Sequence, residues 1–122
     1  MTTNVLLVDD SAVMRKMIRR SLRQAGIEVG EAFEASNGIE GLSQLEGNTV
    51  DLVLCDWNMP EMSGLQFLKE ARKTNQTPVV MLTTESSPDR VSEAMNAGAN
   101  GYITKPFTPE KLMETISIVL GL

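Results

Sequence analysis

Histidine does not occur among the 122 residues, which removes Ser-His-Asp catalysis, histidine-ligated zinc and any phosphohistidine formed on this chain. Cys55 is the one cysteine, so no disulfide can form within the chain and a reducing compartment is the simplest setting. Its expected place is the core, as an inert thiol. No Gly-x-x-x-x-Gly-Lys stretch is present, so a nucleoside triphosphate cradle of the P-loop type is unsupported and direct use of ATP is not expected. Basic residues are outnumbered, 11 Lys and Arg against 16 Asp and Glu for a formal charge of −5. A nucleic-acid binder would need a basic face to displace counterions from phosphates. Long apolar runs are also missing: Met1 to Asn4 carries no basic segment, and Val5 to Val8 is far too short for a signal peptide or a membrane span. The expectation is a cytoplasmic protein with neither nucleic acid nor membrane as partner.

What is present is enough apolar material, 42% of residues, for one core and not two. Residues 1–122 are therefore read as a single domain. Short apolar runs at Val5 to Val8, Asp51 to Cys55 and Val79 to Leu82 predict buried strands, with weaker strands at Glu31 to Ala35 and Gly101 to Thr104. Between them lie helical patterns. Ser11 is an N-cap, Gly38 to Leu45 and Leu65 to Arg72 repeat apolar residues every three or four, and Pro88 and Pro109 open the last two helices. In the fifth helix Leu112, Met113, Ile116, Val119 and Leu120 form one stripe, which needs a sheet to cover it. Regular β-α alternation with short connections predicts an α/β fold: a doubly wound, five-stranded parallel sheet with helices on both faces. No linker or repeat interrupts the pattern, and Gly121-Leu122 leaves no room for an output domain, so the chain is expected to act alone or to be an excised piece.

In open α/β sheets ligands sit beyond the carboxyl ends of the strands. Strand one ends in Asp9-Asp10, strand three in Asp56, strand four in Thr83-Thr84 and strand five in Lys105-Pro106. Each alone has an ordinary explanation, since an acidic pair caps helices and Lys-Pro makes turns. Their convergence assembles three carboxylates, a hydroxyl and an ammonium. Clustered carboxylates repel unless a cation offsets them, and ligands that are all hard oxygens favour Mg²⁺ or Mn²⁺ over zinc or copper. With the metal present the pocket accepts a phosphoryl group: Asp56 is the in-line nucleophile, Lys105 offsets phosphoryl charge, and Thr83 donates to a phosphoryl oxygen.

Val8-Asp9-Asp10-Ser11, Asp56-Trp57-Asn58-Met59-Pro60 with Gly64, Thr83, and Lys105-Pro106-Phe107 resemble the receiver domains of two-component response regulators along the whole chain. Gly98-Ala99-Asn100-Gly101-Tyr102, Trp57 and Asn58 look closest to the single-domain chemotaxis type. The resemblance implies the flavodoxin-like strand order 2-1-3-4-5, for which that receiver is itself a standard example. It implies Asp56 as phospho-acceptor from a histidine kinase, Asp10 and Asp56 as direct metal ligands, Asp9 acting through water, and the Asn58 backbone carbonyl as a further ligand. It also implies Thr83 and Tyr102 as a switch pair, a cis Lys105-Pro106 bond, and a downstream protein bound at the face of helix four, strand five and helix five. A monomeric signalling switch, not an enzyme, is the expected class. Thr84 and Ser63 depart from the commonest pattern, which has a small residue and Asp there; Ser63 is expected to cap the third helix, and Thr84 to hinder access to the pocket.

Arg15, Lys16, Arg19, Arg20 and Arg23 share one arc of the first helix, read as a solvated face or as a guide for a kinase or phosphatase. Trp57 and Met59 flank Asp56, with Trp57 expected to cover the pocket. Two rival classes are weaker. A haloacid-dehalogenase-type phosphatase would carry Asp-x-Asp on strand one, where Asp9 and Asp10 are adjacent, and a flavin binder would not place two carboxylates where a phosphate sits.

Overall fold

Val5 and Leu7 pack on one side of the first strand and Leu6 and Val8 on the other, all four fully buried. That two-residue alternation with no polar face is the signature of a strand covered on both sides. The computed structural model describes residues 2–122, with elements in the order β1 (Thr3–Val8), α1 (Ala12–Gln24), β2 (Val29–Ala35), α2 (Gly38–Gly47), β3 (Leu52–Cys55), α3 (Gly64–Ala71), β4 (Val79–Thr83), α4 (Pro88–Asn96), β5 (Gly101–Thr104) and α5 (Pro109–Leu120). The sheet is parallel throughout and ordered β2-β1-β3-β4-β5. The fold class and strand order are those expected.

Two cores result. Ile18 and Leu22 of α1 and Leu112 and Ile116 of α5 cover Val5, Leu7, Leu54, Val80, Leu82 and Ile103. On the other face Leu45 of α2, Phe67 and Leu68 of α3 and Ala94 of α4 cover Leu6, Val8, Val53, Cys55 and Met81. Cys55 is buried, as its apolar surroundings in the sequence suggested. The helix starts follow the local chemistry: Ser11, Asn37, Ser63, Ser87 and Thr108 each accept a backbone N–H at the N-cap, and Ser63 forms a full capping box with Gln66. Pro88 and Pro109 stand in the first turns of α4 and α5, where a missing N–H costs nothing.

Differences from expectation lie at the edges. β2 begins at Val29, two residues before the expected start, because its pairing with β1 runs from Thr3 opposite Val29 to Val8 opposite Ala35. β1 likewise begins at Thr3, and α2 continues to Gly47. The basic arc of α1 is not uniformly solvated. Arg15 Nε donates to Glu34 Oε1 at 2.7 Å and Arg19 Nη1 lies 3.6 Å from Glu34 Oε2, so the edge strand draws both inward. Lys16, Arg20 and Arg23 stay exposed.

Candidate functional site

The pairing of Val8 with Cys55 fixes the neighbours that follow each strand. Asp56 N donates to the Val8 carbonyl at 2.9 Å, and Asp9 N to the Ala35 carbonyl at 3.0 Å. Oxygens of Asp9, Asp10 and Asp56 consequently lie within 4.8 Å of one another. Asp9 is buried, Asp56 half-buried and Asp10 exposed. Each inner carboxylate is pinned: Asp9 Oδ1 accepts from Ser11 N at 2.9 Å and Asp56 Oδ1 from Trp57 N at 2.7 Å. Lys105 Nζ reaches Asp9 Oδ2 at 2.8 Å and Asp56 Oδ2 at 3.5 Å. It is held there by its backbone N–H, which donates to the Thr83 carbonyl at 2.8 Å, and it precedes Pro106 through a cis peptide bond.

Thr83 is fully buried, and its hydroxyl oxygen accepts from Glu85 N at 3.3 Å. Thr84 is exposed on the loop beyond it. Gly64 is required by contact, since a Cβ there would fall on the Asp56 backbone carbonyl. The Gly64 N–H donates to the Trp57 carbonyl at 2.8 Å, so the loop after β3 closes tightly on the start of α3. Trp57 is buried at 6% exposure as part of the core on the α2–α4 face, and Met59 is half-buried against it. Tyr102 is half-buried, and its hydroxyl donates to the Glu85 carbonyl. Burial first, then the nearby Glu85 charge, raises the Tyr102 hydroxyl above its ordinary pKa. Burial likewise pushes the Cys55 thiol well up, with Asp56 and Asp9 adding to the shift.

Every proposed side chain of the acidic cluster is therefore in one place, and Asn58 lies on the adjoining loop, exposed. Its side-chain amide donates to Glu85 Oε1 at 3.1 Å. Sequence reasoning missed Glu85, which joins Asn58 through its carboxylate and Tyr102 through its carbonyl. The available signal was its place two residues after Thr83, in a loop facing the site. It also missed Arg90, whose guanidinium lies 5.3 Å from the Trp57 ring centroid. Cavity size is no guide here, because a cleft of about 660 Å³ between α2 and α3 contains none of these residues.

A set of hard oxygens with an ammonium at its rim suits a divalent cation and a phosphoryl group. The family described as the response regulator receiver domain matches residues 5–117. The chain belongs to that family. This receiver is 42% identical over 121 residues to the chemotaxis protein CheY1 of Helicobacter pylori, with 96% of each chain covered. It is 42% identical over 121 residues to a chemotaxis protein CheY homolog of Campylobacter jejuni, covering 96% of this chain and 92% of that one. Among solved structures, chemotaxis protein CheY4 of Vibrio cholerae superposes with a TM-score of 0.87 at 40% identity, covering 98% of this chain and 100% of that one. The receiver is CheY-like in sequence and fold, and its resemblance to two-component receivers is membership.

Proposed function

We propose that this receiver accepts a phosphoryl group on Asp56 from the phosphohistidine of a histidine kinase and signals by a conformational switch, in chemotaxis-type signalling. The observation that carries the reading is Lys105 between Asp9 and Asp56, 2.8 and 3.5 Å away, beside three carboxylates within 4.8 Å. One ammonium leaves the cluster short of positive charge. Asp10 and Asp56 would hold Mg²⁺ or Mn²⁺ directly, Asp9 through water, with the Asn58 carbonyl completing the protein's share. The ion supplies charge neutralisation for an incoming phosphoryl group, which the carboxylates alone would repel.

The chain's own groups do the rest. Asp56 Oδ2 attacks phosphorus while the P–N bond to the donor imidazole breaks; the donor ring carries a proton on its other nitrogen, so it leaves as neutral histidine on the kinase and an aspartyl phosphate remains on the receiver. Trp57 N–H orients the carboxylate through Oδ1, and Lys105 offsets charge on the phosphoryl oxygens. Thr83, at the end of β4, and Tyr102, on β5, form the switch, read by a protein partner on the face of α4, β5 and α5. The receiver is a signalling domain, not a turnover enzyme, and works as a monomer in the cytoplasm. The names of the curated relatives favour the chemotaxis setting.

Incubation with a small acyl phosphate and Mg²⁺ tests the assignment. Wild type should gain a base-labile label that Asp56→Asn abolishes. Label persisting on that variant, or mapping to Asp9 or Asp10 as a dehalogenase-type nucleophile would require, rejects it.

A further inference from the structure

Arg90 is the third residue of α4, and a cation in the first turn of a helix opposes the macrodipole. Its placement therefore needs a compensating contact, and the structure supplies one: the guanidinium stands over the Trp57 ring, 5.3 Å from the centroid. The backbone of the same residue is fixed at the start of α4, where Arg90 N donates to Ser87 Oγ at 3.3 Å. Glu93, one turn on, takes Arg90 Nη1 at 3.3 Å and keeps the side chain along the helix.

Trp57 is no passive surface for this contact. Its backbone N–H donates to Asp56 Oδ1 at 2.7 Å, its carbonyl accepts from Gly64, and its ring is buried. We propose that Arg90 is a positioning residue that ties the first turn of α4 to the Asp56 loop through the face of Trp57, giving the Asp56 carboxylate a route to α4 separate from Thr83 and Tyr102. The idea rests on the phospho-acceptor reading of Asp56. Phosphorylation turns the carboxylate into an acyl phosphate and removes the charge that strengthens its bond from the Trp57 backbone N–H. The Trp57 backbone is then freer to shift and carries the indole with it, and Arg90 moves with the ring that attracts it.

Four variants test this in the intact chain: Arg90→Gln, Arg90→Lys, Trp57→Leu, and Trp57→Leu combined with Arg90→Gln. In the unmodified protein Arg90→Gln should change Trp57 emission and speed amide exchange at Val91 and Ser92 by about two- to five-fold, the size of one partly exposed cation–π contact. Arg90→Lys, which keeps the charge, should restore part of both. In the Trp57→Leu background Arg90→Gln should add nothing to exchange, as a true pairwise coupling requires. After full labelling by an acyl phosphate with Mg²⁺, the change in α4 exchange seen in wild type should be reduced in Arg90→Gln. An Arg90→Gln effect that persists undiminished without the indole overturns the proposal, as does a labelled response equal to wild type. Failure of wild type to label at Asp56 is a separate result and rejects the phospho-acceptor reading instead.

Discussion

Lys105 Nζ is nearer to Asp9 than to Asp56, 2.8 Å against 3.5 Å. In the unmodified protein its main partner is therefore the deeply buried carboxylate of Asp9, with Asp56 second. Removing the ammonium leaves Asp9 buried without a cation, a loss worth up to about 3–5 kcal/mol for a fully desolvated pair. Lys105→Met should lower the urea midpoint without divalent ions, and Mg²⁺ should restore more stability to the variant than it adds to wild type. Equal Mg²⁺ effects in the two proteins would show that Asp9 does not depend on Lys105.

The thiol of Cys55 offers a pH test. Burial, and behind it Asp56 and Asp9, holds its pKa well above the ordinary value of about 8.5. Below that value the thiol is neutral in both states and its contribution to stability is fully present. As pH rises beyond it the unfolded thiol ionises and the folded one does not, so the unfolded state binds fewer protons and stability falls. Wild type should lose stability between about pH 8.5 and the raised folded value more steeply than Cys55→Ala, by at most about 1.4 kcal/mol per pH unit. A thiol reagent at pH 8 should react only on unfolding; rapid modification of folded protein would contradict the burial.

How much of this was legible in the sequence depends on the range of the interaction. The strands, caps and the two prolines are local patterns, and the parallel topology then brings the ends of β1, β3, β4 and β5 together, so Asp9, Asp56, Thr83 and Lys105 could be grouped across as many as 96 residues of separation. Contacts between surface side chains carry no such periodic signal. Arg15 and Arg19 were visible only as members of a basic arc, because nothing in the spacing of α1 reveals Glu34 on the neighbouring strand. The links of Glu85 to Asn58 and Tyr102 escaped for the same reason.

Arg72 belongs to that illegible class and is testable. From the end of α3 it donates to the carbonyls of Gly98 at 3.0 Å, Asn75 at 3.2 Å and Thr77 at 2.8 Å, and to Asn100 Oδ1 at 2.8 Å. Asn100 Oδ1 also accepts from Val79 N at 2.9 Å, so one guanidinium joins the loops on either side of β4 and α4. An ammonium cannot span this fork. Arg72→Lys should therefore destabilise nearly as much as Arg72→Ala, by about 2–4 kcal/mol in urea unfolding, given that single bonds to charged donors are worth about 1.5–3 kcal/mol and do not add fully. Full rescue by lysine would mean that charge, and not the fork, is what matters.

The proposed switch pair, Thr83 and Tyr102, gives the last prediction. Tyr102 is tied to the β4–α4 loop by its hydroxyl bond to the Glu85 carbonyl, and Thr83 is tied to the same residue by the Glu85 N–H donated to its hydroxyl oxygen at 3.3 Å. Glu85 thus makes one contact with each member of the pair, and a pull on Thr83 reaches Tyr102 through a single residue, across the two peptide groups that flank its Cα. If a phosphoryl group on Asp56 draws the Thr83 hydroxyl toward it, the Glu85 N–H loses its acceptor, the loop shifts, and the Tyr102 ring follows its carbonyl partner. A coupling of about 1–3 kcal/mol would change partner affinity by roughly 5- to 150-fold. Thr83→Ala should still be labelled at Asp56 but lose most of the phosphate-dependent gain in partner binding. Tyr102→Phe, which keeps the ring and removes only the hydroxyl bond, should cost about 0.5–1.5 kcal/mol of stability and weaken the same gain. Titration of labelled and unlabelled forms against the partner separates these effects from folding. Labelled Thr83→Ala that binds as tightly as labelled wild type would break the link between Thr83 and Tyr102, whatever the fate of Asp56.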